Sequence, residues 1–196
     1  MPITEQLAPG MVVLFIGFNP SLTSAARGFN YAGRNNRFYR VLYLSGLTGR
    51  QYRPEESPSL LDDYQYGFTN IVTRPSKSAA DITTEEFRQG GRILAAKLHR
   101  YRPVFACYVG KGVYQQFLRQ FPRRRGAAVP WGFQADPLIP GVRDFVAPST
   151  SGLVRMRLSE QTAIYRELAQ AAHRWRQQRA GRGPVHFDDP SRGALE

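Results

Sequence analysis

The stretch Val12-Val13-Leu14-Phe15-Ile16-Gly17-Phe18-Asn19-Pro20-Ser21 decides how this chain is read. Five consecutive apolar residues that end in a Gly/Asn/Pro/Ser turn read as a strand buried on both faces. A second uninterrupted run, Val104 to Val109, reads as another central strand. Tyr66–Val72 and Asp144–Ala147 are two further candidates. Helical patterns fall between them. Over Asn36–Ser45, the residues Phe38, Val41, Leu42 and Ser45 share a face. Thr83 and Glu86 have capping-box spacing and open a helix to about Tyr101, with Phe87, Leu94, Leu98 and Tyr101 along a stripe. Gly110-Lys111-Gly112 turns the chain into a helix ending near Phe121. Ser159 is the expected cap of a last helix carrying Ile164, Leu168, Ala172 and Trp175. Strands alternating with helices predict an α/β sheet. In such sheets ligands bind beyond the carboxyl ends of the strands, which directs attention to Asn19.

Composition narrows the function classes. A chain of 196 residues suits one domain with a sizeable core. Lys plus Arg is 27 and Asp plus Glu is 15, a net charge of +12, and the pI is near 10.4. Such an excess favours a polyanionic partner over a merely solvated basic surface. Cys107 is the one cysteine, so no disulfide within the chain and no Cys-rich metal site can form. His99, His173 and His186 lack metal-ligand spacing. No cofactor and no metal are expected. No long uncharged apolar run is present, so no membrane partner and a cytoplasmic location are expected. Gly110-Lys111 lacks the remaining residues of a nucleotide P-loop. Residues 1–176 read as a single domain. From about Gln177 the chain turns Arg-, Gly- and Pro-rich and reads as a mobile tail over 177–196. The run Arg123-Arg124-Arg125 opens an irregular section.

Several further stretches follow in a set order: Gly28-Phe29-Asn30-Tyr31, Asn35-Asn36-Arg37-Phe38-Tyr39, Tyr66-Gly67-Phe68-Thr69-Asn70-Ile71-Val72, Phe87-Arg88-Gln89-Gly90-Gly91-Arg92-Ile93-Leu94 and Pro148-Ser149-Thr150-Ser151-Gly152-Leu153-Val154-Arg155. With Gly17-Phe18-Asn19-Pro20-Ser21, their order and spacing from about Leu7 to Leu168 resemble the mismatch-specific uracil-DNA glycosylase and thymine-DNA glycosylase family. The resemblance implies a three-layer α/β/α sandwich around a short, mainly parallel central sheet, like other uracil-DNA glycosylases. It also implies a monomer acting on double-stranded DNA that contains G·U or related mismatches, in a bacterial cytosol or nucleoid. Some branches of the wider superfamily hold an iron–sulfur cluster with four thiolates; a chain with only Cys107 has too few.

On this resemblance the chain flips and excises uracil paired with guanine, leaving an abasic site and initiating base excision repair. Thymine or modified pyrimidines are further substrates to test. Asn19 matches the catalytic asparagine that orients the attacking water. An amide contributes positioning rather than proton abstraction. Backbone N–H groups around Phe18 are placed to stabilise the departing base anion. Tyr31 matches the aromatic that stacks on the flipped base, an interaction of about 1–3 kcal/mol. Ser24 and Asn70 match the pocket edge. Gly152, Leu153 and Arg155 form the insertion loop, with Leu153 as the wedge and Gly152 and Arg155 facing the widowed guanine. Lys111, Ser149 and Ser151 are candidates for phosphate contact. Pro148-Ser149-Thr150-Ser151 is closer to the thymine-glycosylase branch and Gly152-Leu153 to the bacterial one. No lysine stands at position 19, so no lyase step is expected.

Taken singly, these residues have plainer readings. Asn19 can satisfy its own backbone in an Asx turn. Tyr31 can be a core tyrosine, and the Ser/Gly loop an ordinary surface loop. A nonenzymatic mismatch- or damage-binding module on the same fold would use the same charge and wedge. Asn19 separates it from an enzyme.

Overall fold

The computed structural model describes residues 5–122 and 128–180. The Arg123–Arg125 run and the segment from 181 onward lie outside the described residues.

Five strands form one sheet in the order β2-β1-β3-β5-β4. They are β1 (Val13–Gly17), β2 (Tyr66–Asn70), β3 (Phe105–Val109), β4 (Gly132–Phe133) and β5 (Arg143–Ala147). The first four in that order are parallel; β4 joins the edge antiparallel to β5. Side chains alternate across the sheet as the pleat requires. Val13, Phe15, Phe105, Cys107, Phe145 and Ala147 face one core, whereas Leu14, Ile16, Ala106, Tyr108 and Val146 face the other. Both faces are covered, which is why the strands read as unbroken apolar runs rather than alternating ones.

The helices are α1 (Leu22–Arg27), α2 (Phe38–Ser45), α3 (Ser59–Tyr64), α4 (Thr84–Tyr101), α5 (Lys111–Leu118) and α6 (Leu158–Ala180). Phe38, Val41 and Leu42 of α2, Leu60 of α3 and Tyr165, Leu168 and Ala172 of α6 cover the first face. Phe87, Leu94 and Leu98 of α4 and Val113 and Phe117 of α5 cover the second. The result is the expected three-layer α/β/α sandwich. No described helix is long and apolar enough to cross a membrane.

The capping box at Thr83 and Glu86 is formed: the Thr83 hydroxyl accepts from the Glu86 N–H, and the Glu86 carboxylate accepts from the Thr83 N–H. Three short elements, α1, α3 and β4, were not read from the sequence. Ser159 is not the cap of α6. It sits inside the first turn, and the Glu160 carboxylate accepts from the Arg157 N–H at 2.8 Å instead. α6 also continues through Gln177 to Ala180, so the first four residues read as tail are helical.

The topology dictates where a ligand site can form. From β1 the chain crosses to β2 through helices on one face; from β3 it leaves through α5 on the other. The two connections diverge between the carboxyl ends of β1 and β3, and such a switch point opens a crevice. Gly17-Phe18-Asn19 and Val109-Gly110-Lys111 border it.

Candidate active site

The crevice is a cleft of about 190 Å³ walled by the turn after β1, the loop around Tyr31, the end of β2 and the Ser149–Ser151 segment after β5. Phe18, Asn19, Ser24, Tyr31, Asn70, Ser149 and Ser151, each singled out from sequence, all line it. No carboxylate or histidine is among the lining residues.

Asn19 is held from outside the cleft. Its Nδ2 donates to the Arg74 carbonyl at 3.0 Å and to the Ser76 Oγ at 2.8 Å. The Ser76 hydroxyl spends its own proton on the Ser78 carbonyl at 2.6 Å. Both partners can therefore only accept, so the group facing them must be the amide NH2. Oδ1 is left as the open acceptor, with no protein donor among the described residues. The Asx-turn alternative does not hold, because no backbone N–H among the described residues donates to Oδ1, and the amide NH2 is bonded 55 and 57 residues away. The Arg74–Ser78 strap is itself anchored. Ser76 N–H donates to the Pro20 carbonyl at 3.2 Å, and Arg74 pairs with Glu86 at 2.6 Å. Arg74 beside it, together with the Thr83 bonds, holds the Glu86 carboxyl down at about 2.

The strand ladder ends at this turn. The carbonyls of Gly17 and Phe18 accept from Ile71 and Val72 N–H, both at 2.9 Å, whereas the Phe18 and Asn19 N–H groups meet no backbone acceptor among the described residues. The Phe18 ring turns to the second core, edge-on to Phe87 at 5.7 Å and pressed over Gly112. Phe18 thus offers the cleft its backbone rather than its ring.

Tyr31 adopts a left-handed backbone (φ 53°) and stacks on Phe38, with ring centroids 3.9 Å apart. Its hydroxyl is enclosed without a partner, and burial pushes the phenol well above its ordinary range, so it stays a neutral donor. Asn70 stands across from Gly17 in the β1–β2 register. A Cβ on Gly17 would sit 2.5 Å from Asn70 Oδ1 and 3.4 Å from the Tyr31 hydroxyl, so glycine there keeps both groups in place. Ser24 Oγ accepts from the Ala32 N–H at 3.1 Å and ties the Tyr31 loop to α1.

The segment after β5 is fixed at its base and free at its tip. Arg37 N–H donates to the Thr150 carbonyl at 2.9 Å, Thr150 Oγ1 donates to Asn36 Oδ1 at 2.8 Å, and buried Gln161 donates to the Ser149 carbonyl at 3.3 Å. Beyond these ties Leu153 is 93% exposed. Arg155 is exposed beside it, and Gly152 lies so close to Asn35 that a Cβ would come within 2.6 Å of that side chain. Gly152, Leu153 and Arg155 stand on the loop outside the cleft lining. Lys111 also lies outside it, its ammonium 4.3 Å from the centre of the Trp131 ring. Sequence reasoning missed Arg74, Ser76 and Asn36. Only Asn36 carried a signal, as part of the helix-start run Asn35–Tyr39; Arg74 and Ser76 reach Asn19 from more than fifty residues away, beyond any local pattern.

The sequence profile of the Uracil DNA glycosylase superfamily matches residues 5–173. Among solved structures, a solution NMR structure of a candidate uracil DNA glycosylase from Methanosarcina acetivorans superposes with a TM-score of 0.53 at 20% identity. The match covers 86% of this chain and 99% of that one, and shows that the two share a fold. With the profile spanning most of its length, the chain belongs to the uracil DNA glycosylase superfamily.

Proposed function

We propose that this chain is a monofunctional glycosylase that flips uracil mispaired with guanine out of duplex DNA and hydrolyses its N-glycosidic bond. Superfamily membership supports glycosylase chemistry on DNA in general. The observation that carries the finer reading is the clamped Asn19 amide. Its Oδ1 accepts a hydrogen bond from water and aims the water oxygen at the sugar carbon. The fixed orientation supplies proximity, with no base in the cleft to take the proton early. The bond therefore breaks ahead of attack, with cationic character on the sugar and negative charge on the base. Uncommitted N–H groups at Phe18 and Asn19 suit that charge. The free face of Tyr31 takes the base by stacking, and the Asn70 amide, which can both donate and accept, reads its polar edge. Leu153 fills the vacated stack, with Gly152 and Arg155 towards the widowed guanine. Lys111, Ser149 and Ser151 contact phosphates through ammonium, hydroxyl and backbone N–H groups. Hydrolysis without a Schiff base yields an abasic site and starts base excision repair.

Alkali-revealed strand cleavage tests this on labelled G·U, G·T, A·U and single-stranded substrates, with Asn19→Ala alongside. Cleavage of G·U that Asn19→Ala abolishes, with duplex affinity kept, is the expected result. Tight binding without cleavage of any substrate would leave a mismatch-binding module.

A further inference from the structure

The start of α2 grips the loop that carries Leu153 on both of its legs. On the incoming leg the Arg37 N–H donates to the Thr150 carbonyl at 2.9 Å. On the outgoing leg the half-buried Arg37 guanidinium donates through Nη1 to the Met156 carbonyl at 3.1 Å. One residue thus clasps the loop across its neck. Between the two grips the Val154 N–H donates to the Ser151 carbonyl at 3.0 Å, so Leu153 rides a tight turn at the tip. Gln161 of α6 also reaches both legs, but at longer range: 3.3 Å to the Ser149 carbonyl and 3.5 Å to that of Met156.

The neighbours of Arg37 belong to the cleft. Asn36 is part of its wall, and Asn36 Oδ1 accepts from the Phe38 N–H at 3.0 Å as well as from the Thr150 hydroxyl at 2.8 Å. The Phe38 ring lies against Tyr31 with centroids 3.9 Å apart. The ring offered to a flipped base and the leucine offered to the vacated stack therefore share one support, Asn36-Arg37-Phe38.

We propose that Arg37 is a positioning residue for base flipping: its grip on Thr150 and Met156 closes the neck of the loop and fixes how far Leu153 projects beside the cleft. The inference rests on the wedge reading of Leu153 given above and deepens it. A guanidinium suits the task because its donors are planar and hold a carbonyl in a set direction. A tip ordered beforehand also loses less freedom when it enters the stack.

Arg37→Met tests this. It removes the bond to Met156 and keeps the stem of the side chain, the backbone bond to Thr150 and the Asn36 bonds. Circular dichroism and the melting midpoint check that the fold is kept. The assay is stopped-flow fluorescence of a base analogue beside uracil in a G·U duplex, with excision followed in parallel. Arg37→Met should weaken flipping about tenfold, as expected for loss of one hydrogen bond from a charged donor. In a Leu153→Ala background it should do nothing further, because no wedge is left to place. The salt dependence of duplex affinity should stay as in the wild type. A fall of about one in that slope would make Arg37 a phosphate contact and overturn the proposal. So would unaltered flipping, or equal weakening in both Leu153 backgrounds, since the latter would be a general effect on the fold. Flipping that depends on Arg37 but is followed by no excision would sink the glycosylase reading and leave this inference standing. A wild type that flips no base would overturn the inference together with the wedge.

Discussion

Replacing Ser76 with alanine removes one of the two acceptors that orient the Asn19 amide, without altering the cleft lining itself. The Arg74 carbonyl still holds the other N–H at 3.0 Å, so the amide loosens rather than inverts. One net hydrogen bond of this kind contributes about 1 kcal/mol, or roughly a fivefold change in rate if all of it serves to aim Oδ1. Asn19→Ala, which removes the aiming group entirely, should cost on the order of a hundredfold or more. The assay is single-turnover excision from a G·U duplex at saturating protein, run with Ser76→Ala and Asn19→Ala singly and together. Ser76→Ala should slow excision about fivefold in the Asn19 background, leave duplex affinity unchanged, and do nothing further once Asn19 is gone. Ser76→Thr keeps the hydroxyl and should restore most of the rate. Ser76 is buried, so a stability loss of about 1–2 kcal/mol is expected, and rates belong well below the melting midpoint. An equal slowing by Ser76→Ala in both Asn19 backgrounds would refute the reasoning, because Ser76 would then act through the fold at large.

Gly17→Ala puts a methyl into Asn70 Oδ1 and against the Tyr31 hydroxyl, so excision should fall at least tenfold while thermal melting shows only a small loss. Leu153→Ala removes an exposed side chain and should leave the melting midpoint unchanged. Fluorescence of a base analogue beside the uracil should nevertheless report weaker flipping, and an unaltered signal would remove Leu153 from the wedge role. Asp144 is buried, accepting from the Tyr108 hydroxyl and the Leu138 N–H, and burial raises its carboxyl from 3.8 to about 6. A raised folded value means the contribution is present in full below the unfolded pKa and is lost as pH climbs through 6. Urea unfolding should therefore find the wild type losing about 1 kcal/mol between pH 5 and 7 relative to Asp144→Asn. A parallel pH trend in the two proteins would contradict this.

Long-range apolar runs and local caps were legible in the sequence because they state their own environment. Val13–Gly17, Phe105–Val109 and the Thr83/Glu86 box needed no partner to be recognised. β4 was not legible, since two residues, Gly132 and Phe133, form a strand only through their register with Phe145 and Val146. α1 left a readable trace, Ser21 as its cap and Gly28 in the left-handed region closing it, but its six residues are too few to give a period. Ser159 is no cap because α6 starts one residue before it, at Leu158, a displacement within the usual uncertainty of helix ends. In the cleft, each residue type could be picked out singly, whereas the clamp on Asn19 joins positions more than fifty residues apart.

Glu86 serves two masters: it closes the first turn of α4 and holds Arg74, whose carbonyl in turn steadies Asn19. The first turn of a helix is among the earliest parts of a protein to fray on warming. Heat should therefore disarm this protein before it melts, with excision fading several degrees below the midpoint of unfolding and returning on cooling. The upper working temperature is set by one helix end, not by the stability of the sheet.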